Sequence, residues 1–287
     1  MGATYRAEDL RLQGRFCAVK EALPDPGVAS DELAQSREQF YQEASTLARL
    51  DHPNLPKVSD YFSEGDRDYL VMDFVPGQDL KEKLTTALSQ GHPLTERQIL
   101  AWADQLCDAL AYMHTQDPPV LHRDIKPSNI KITPAGRVKL VDFGLVKTLL
   151  PDDQRTITVV QGRGTVQYIP LEQYGGDMGH TDVRSDIYSL GVILYEMLAG
   201  IRPFEADEYI AVLHKQVYEA PTPIAHLRSG LSAATQQVIE TCLAKDPDLR
   251  YRTANDLVEA IDRALLAEGD QGYLLKTTIL LPEGQAE

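Results

Sequence analysis

The apolar residues of this 287-residue chain change their period near residue 76. Upstream, residues 5–8 and 16–21 flank a turn at Gln13-Gly14, and residues 58–63 and 69–75 flank Glu64-Gly65-Asp66; both patterns predict hairpins. One helix is predicted between them over residues 30–50, with Ser30 as N-cap and Leu33, Phe40, Ala44 and Leu47 on one face. Pro76-Gly77 closes this unit. Downstream the period is helical. Thr95-Glu96-Arg97-Gln98 reads as a capping box, followed by the stripe Ile99, Trp102, Leu106, Leu110 and Met113. Residues 130–133 and 138–141 interrupt as two short strands around Pro134-Ala135-Gly136, and residues 145–181 show little periodicity. Ile187, Leu190, Leu194 and Leu198 mark a buried helix ended by Gly200, and two more helices open after Ser232 and Thr253. The expected fold is α+β and two-lobed. A small β-rich lobe with one helix spans 1–75, a larger helical lobe 76–266, and a tail 267–287.

Lys and Arg total 28 against 43 Asp and Glu, a formal net charge of −15. Such a chain repels polyphosphate backbones, so no nucleic-acid partner is expected, and a phosphorylated ligand needs local cations. The three cysteines, Cys17, Cys107 and Cys242, are far apart and form no CxxC pair, which suits buried thiols in a reducing cytoplasm. The longest apolar stretch, 190–201, is interrupted by Glu196 and is too short to span a bilayer.

The strongest signal is His122-Arg123-Asp124-Ile125-Lys126-Pro127-Ser128-Asn129, with Asp142-Phe143-Gly144 eighteen residues after Asp124. Five fixed residues of the first motif recur by chance in about one chain in ten thousand of this length. Here the chain resembles the protein kinase family, of the bacterial serine/threonine type. The resemblance implies ATP and Mg²⁺ as cofactors, protein substrates, and transfer of the γ-phosphoryl to Ser or Thr hydroxyls. Phosphoryl transfer depends on positioning and on neutralising charge that gathers on the moving group. The match makes Asp124 the carboxylate that orients the hydroxyl and takes its proton, and Lys126 the cation at the γ-phosphate. Asn129 and Asp142 become the hard oxygen ligands of the metal.

Further matches extend the likeness from Gly2 to about Leu266. Ala18-Val19-Lys20 resembles the strand bearing the ATP-binding lysine, with Glu43 on the next helix expected to pair with Lys20. Met72 is expected behind the adenine, and backbone groups of Asp73 and Val75 are expected to bind it. Leu47, Val58, His122 and Phe143 fall where the family stacks a spine. Gly164-Thr165, with Pro170-Leu171-Glu172, resembles the end of an activation segment, and Glu172 is expected to pair with Arg250. Asp186 matches the residue that braces the catalytic loop. Arg123 implies a segment ordered by phosphate, with Thr148, Thr156 and Thr158 as candidates, whereas Thr165 is expected to contact Asp124 and Lys126.

The likeness departs from the family in two places. Gly2-Ala3-Thr4 aligns with the final Gly of the family's G-x-G-x-x-G loop and the two residues after it; the first strand and two earlier glycines have no counterpart. That implies an open sheet edge and weakened nucleotide binding. It fits a start upstream of Met1, a weakened kinase, or a binding module without turnover; the uneroded set Lys20, Glu43, Asp124, Asn129 and Asp142 favours the first two. Lys131 stands where many relatives place an apolar residue under the adenine, and its aliphatic stem can serve there. The rival enzyme is a small-molecule phosphotransferase, which shares the Asp-x₄-Asn loop but is not expected to carry Gly164-Thr165, Glu172 and Arg250.

Overall fold

A computed structural model describes residues 3–22, 30–65, 67–142, 166–174 and 180–267, the side chains of 30–36 and 39 excepted. The small lobe is an antiparallel sheet in the order β1 (Thr4–Glu8), β2 (Phe16–Ala22), β4 (Arg67–Asp73), β3 (Val58–Glu64). Cross-strand partners directly opposite each other share a face. Thr4 lies opposite Lys20, Arg6 opposite Ala18, and Ala18 opposite Met72, so these side chains leave the sheet on one side. Helix α1 (Ser30–Ala48) packs on the sheet through the buried residues Phe40, Ala44 and Leu47, as the period predicts, although Ser30 is already helical.

The large lobe begins with β5 (Gln78–Asp79) and α2 (Leu80–Ser89). Asp79 caps α2: its Oδ1 accepts from Glu82 N at 2.8 Å, while Asp79 N donates to Glu82 Oε2 at 3.1 Å. Helix α3 (Glu96–His114) follows, then the hairpin β6 (Ile130–Ile132) and β7 (Val138–Leu140), which with β5 forms a second sheet ordered β5-β6-β7. Gly77 lets the chain pass close to this sheet, because a Cβ there would collide with the carbonyl oxygen of Ile132. The lobe is completed by α4 (Val183–Ala199), α5 (Tyr209–Tyr218), α6 (Ile224–Leu227), α7 (Ala233–Cys242) and α8 (Ala254–Ala267). Every residue of α4 from Ser185 to Tyr195 is buried, which makes it the central helix of the lobe. Gly191 brings α7 onto α4, since a Cβ at that position would collide with the Cβ of Cys242. Each large aliphatic side chain in this core contributes roughly 1.5–3 kcal/mol relative to exposure.

Several expectations are corrected. The predicted capping box of α3 forms as a half: Thr95 Oγ1 accepts from Gln98 N at 3.2 Å. Glu96 is buried and accepts from Ser232 N at 3.3 Å, tying α3 to the N-cap of α7. β5, α5 and α6 were not predicted. β5 is two residues long, and α5 carries apolar residues on more than one face, with Ile210 and Tyr218 exposed, so neither shows a clean period. Among the described residues no helix is long and apolar enough to cross a membrane.

Candidate active site

The site is built outward from α4. Asp186 in its first turn is fully buried and receives three donors: His122 N on Oδ2 at 2.9 Å, Arg123 N on Oδ1 at 2.9 Å, and the His114 ring, whose Nε2 is 2.9 Å from Oδ2. Burial alone would raise its pKa, but the bond from His114 and the neighbouring donors and histidines hold it below the ordinary carboxylate value. The carboxylate thus nails the start of the loop 122–129 to the central helix. His122 is fully buried beneath it, its Nε2 donating to Val141 O at 3.2 Å, and burial depresses its pKa against the pull of Asp186 and Asp124. Arg123 adopts φ = 63°, a left-handed conformation uncommon outside glycine, and its carbonyl accepts from Gln173 Nε2 at 2.8 Å.

This turn presents Asp124. Its Oδ2 accepts from Lys126 Nζ at 2.8 Å and from Asn129 Nδ2 at 3.0 Å, and Asn129 Nδ2 also reaches the Asp124 carbonyl at 2.8 Å. With its NH₂ engaged there, Asn129 offers its carbonyl oxygen to a cation. Asn129 ends the 3₁₀ turn Pro127–Asn129, and its backbone carbonyl accepts from Val141 N at 2.8 Å, so the loop 122–129 and the strand leading to Asp142 are stitched together. Asp142 also sits at a positive φ, 61°. Its Oδ1 lies 3.4 Å from Lys20 Nζ, which brings a β2 residue of the small lobe onto a large-lobe carboxylate.

The roof and back of the cleft follow from the sheet register. Ala18 lies on the Lys20 face, Met72 beside it is buried, and Asp73 and Val75 lead from β4 toward β5. Glu43 is half-buried on α1, beside Ala44. Leu47 and Val58 are buried. Below the site, Arg250 grips Glu172 through two bonds, Nη1–Oε1 at 2.6 Å and Nη2–Oε2 at 3.2 Å. Both side chains are almost wholly buried (0% and 3% exposed). Ser185 Oγ also donates to Glu172 at 2.8 Å, and the guanidinium stacks 4.7 Å from the Tyr188 ring centre. Gly2, Phe143, Thr148, Thr156, Thr158, Gly164 and Thr165 lie outside the described residues.

Comparison with known families now decides the kinship: the protein kinase domain model matches residues 2–260. The chain belongs to the protein kinase family. Among its curated relatives, serine/threonine-protein kinase PknB of Mycobacterium tuberculosis is 36% identical over 261 residues, covering 90% of this chain and 40% of that protein. A probable serine/threonine-protein kinase PknB of Bifidobacterium longum is 37% identical over 268 residues, 89% of this chain and 36% of that one. A probable serine/threonine-protein kinase of Clostridium perfringens is 32% identical over 264 residues, 92% and 36% respectively. The chain therefore spans about two fifths of the length of the curated relatives it matches.

As a kinase-family site, the donor set fits a cation carried by phosphates. Among the described residues no cluster of three or more His, Cys, Asp or Glu could enclose a metal. Asp142 and Asn129 supply two hard oxygens, and Mg²⁺ is commonly held by one or two protein oxygens together with substrate phosphates and water. Sequence reasoning missed His114, Gln173 and Ser185. His114 is the last residue of α3 and its partner is 72 residues away, so the sequence offers only a basic group at a helix end. Gln173 and Ser185 have no motif of their own; each acts through one bond across the fold.

Proposed function

We propose that this domain transfers the γ-phosphoryl of ATP to Ser or Thr hydroxyls of protein substrates. The reading rests above all on one observation: Lys126 and Asn129 both engage Oδ2 of Asp124, within a loop stitched to the strand that leads to the Asp142–Lys20 pair. Asp124 orients the acceptor hydroxyl and takes its proton as the new P–O bond forms. Lys126 holds that carboxylate in place and offers positive charge to the transferred group. Lys20 serves the α- and β-phosphates, with Glu43 steadying it from α1. Asp142 and the Asn129 carbonyl would hold Mg²⁺, which when bound neutralises phosphate charge. Ala18 and Met72 line the base site, and backbone groups of Asp73 and Val75 bind the base edge.

Ser/Thr specificity is supported by Lys126 and by the names of the relatives above. A protein acceptor, rather than a small alcohol, is supported by the buried Glu172–Arg250 pair, which anchors residues 166–174 beside the catalytic loop. Arg123 with threonines 148, 156 and 158 forms the regulatory part of the proposal, and Thr165 contacts Asp124 and Lys126. The test offers radiolabelled ATP with a basic protein and, separately, a panel of alcohols and aminoglycosides. Label on phosphoserine or phosphothreonine is expected; label on the small molecules alone would overturn the reading.

A further inference from the structure

The β1–β2 hairpin carries three arginines, and two of them leave the hairpin for the same place. Arg6 projects on the Lys20 face of the sheet, opposite Ala18. Its guanidinium carbon lies 3.9 Å from the ring centre of Phe16 and 4.9 Å from that of Phe74, in the segment linking β4 to β5. Arg15 reaches the residue before it, with Nη2 3.3 Å from Asp73 Oδ1. The connection that delivers Arg15 is tight: Asp9 N donates to Arg15 O and Arg15 N to Leu12 O, both at 2.9 Å, with Gly14 at φ = 81°. Asp73 is fixed from the far side as well. Its Oδ2 accepts from Lys57 N at 3.3 Å, and Asp73 N donates to Lys57 O at 2.9 Å. Arg11, the third arginine, pairs with Asp9 inside the hairpin and is 81% exposed.

We propose that Arg6 and Arg15 are positioning residues forming a two-point latch, which fixes the roof hairpin to residues 73–74 and sets the opening of the cleft where the nucleotide base is held. The physical case is geometric. Among the described residues β1 is the edge strand of its sheet, paired along one side with β2. Ala3, Tyr5 and Ala7 face β2 in the ladder, because Glu21 N donates to Ala3 O and hydrogen-bonded pairs alternate; the backbone groups of Thr4, Arg6 and Glu8 face away from β2. An edge strand held on one side frays easily. Arg6 ties that strand to the linker by stacking between two aromatic faces, and Arg15 ties the end of the same hairpin by charge. The latch rests on the ATP reading above for its function, but not for its mechanics.

Two measurements separate those levels, made on the full chain as the parent and as Arg6→Gln, Arg15→Gln, the double variant, Arg6→Lys and the control Arg11→Gln. The first is amide hydrogen exchange in residues 73–77 without nucleotide. The double variant is expected to exchange several-fold faster than the parent, with Arg11→Gln unchanged. The second is steady-state kinetics. Stacked guanidinium contacts and partly exposed ion pairs are each worth a few-fold in an equilibrium. The double variant should thus raise KM for ATP about five- to tenfold, leave kcat within about twofold, and Arg6→Lys should recover part of the loss. If the parent transfers phosphate and neither exchange nor KM moves, or if kcat falls as much as kcat/KM, the latch is wrong. Faster exchange in the double variant with a parent that transfers no phosphate would uphold the latch and overturn the ATP reading.

Discussion

At the scale of single residues, the fold is held by a few polar groups taken out of water together. Arg250 and Glu172 are the clearest case: two direct bonds, a third from Ser185, further bonds from Arg250 to the Ala244 and Lys245 carbonyls, and an aromatic face beneath. Burying either charge alone is strongly unfavourable, whereas replacing the pair by apolar groups leaves no stranded charge. Arg250→Ala should therefore cost about 3–5 kcal/mol of unfolding free energy in a denaturant titration. The double change Glu172→Leu with Arg250→Leu should cost clearly less; equal costs would show that packing, not the stranded carboxylate, dominates. Both partners were legible in the sequence, but only through family likeness. Seventy-eight residues separate them, and nothing local in either segment announces the other.

At the scale of elements, the loop 122–129 is docked onto α4 through Asp186, and this docking titrates. Asp186 is held below its ordinary value of 3.8, so its stabilisation is present above that value and is lost as pH falls through the lowered one. His122 is held below its ordinary value of 6.5, because the fold keeps the ring neutral. Its protonation favours the unfolded chain, so that stabilisation is complete above pH 6.5 and declines as pH falls toward the lowered value. Both terms have the same sign. Unfolding free energy should fall steadily from pH 7 to pH 5, and His122→Asn should flatten that decline; an unchanged slope in the variant would contradict the assignment. The strands and main helices that carry this docking were readable from period and capping residues. β5 and α5 were not, one being too short to show a pattern and the other apolar on more than one face.

At the scale of the whole molecule, a chain of net charge −15 assembles a cleft in which Lys20 and Lys126 each meet an aspartate, joined by residues from both lobes. The division into a sheet-rich and a helical part was legible because the hydrophobic period becomes mainly helical after residue 76. The loop 122–129 was legible because its residues are contiguous. The meeting of Lys20 with Asp142 was not, since they stand 122 positions apart, with α1, β3, β4, β5, α2, α3, β6 and β7 between them. The arginine latch at the cleft mouth likewise exists only through sheet register and the path of the linker.

In the proposed reaction Asp124, held in place by Lys126 and Asn129, takes the proton of the acceptor hydroxyl as the phosphoryl group is transferred. The direct measurement is single-turnover phosphoryl transfer by the parent and by Asp124→Asn, with nucleotide affinity and thermal unfolding measured beside it. Transfer by the parent and a fall of roughly 10²–10⁴-fold in the variant are expected, with nucleotide affinity and melting close to the parent's. Equal rates in the two proteins, or no transfer by the parent at all, would contradict this role of Asp124.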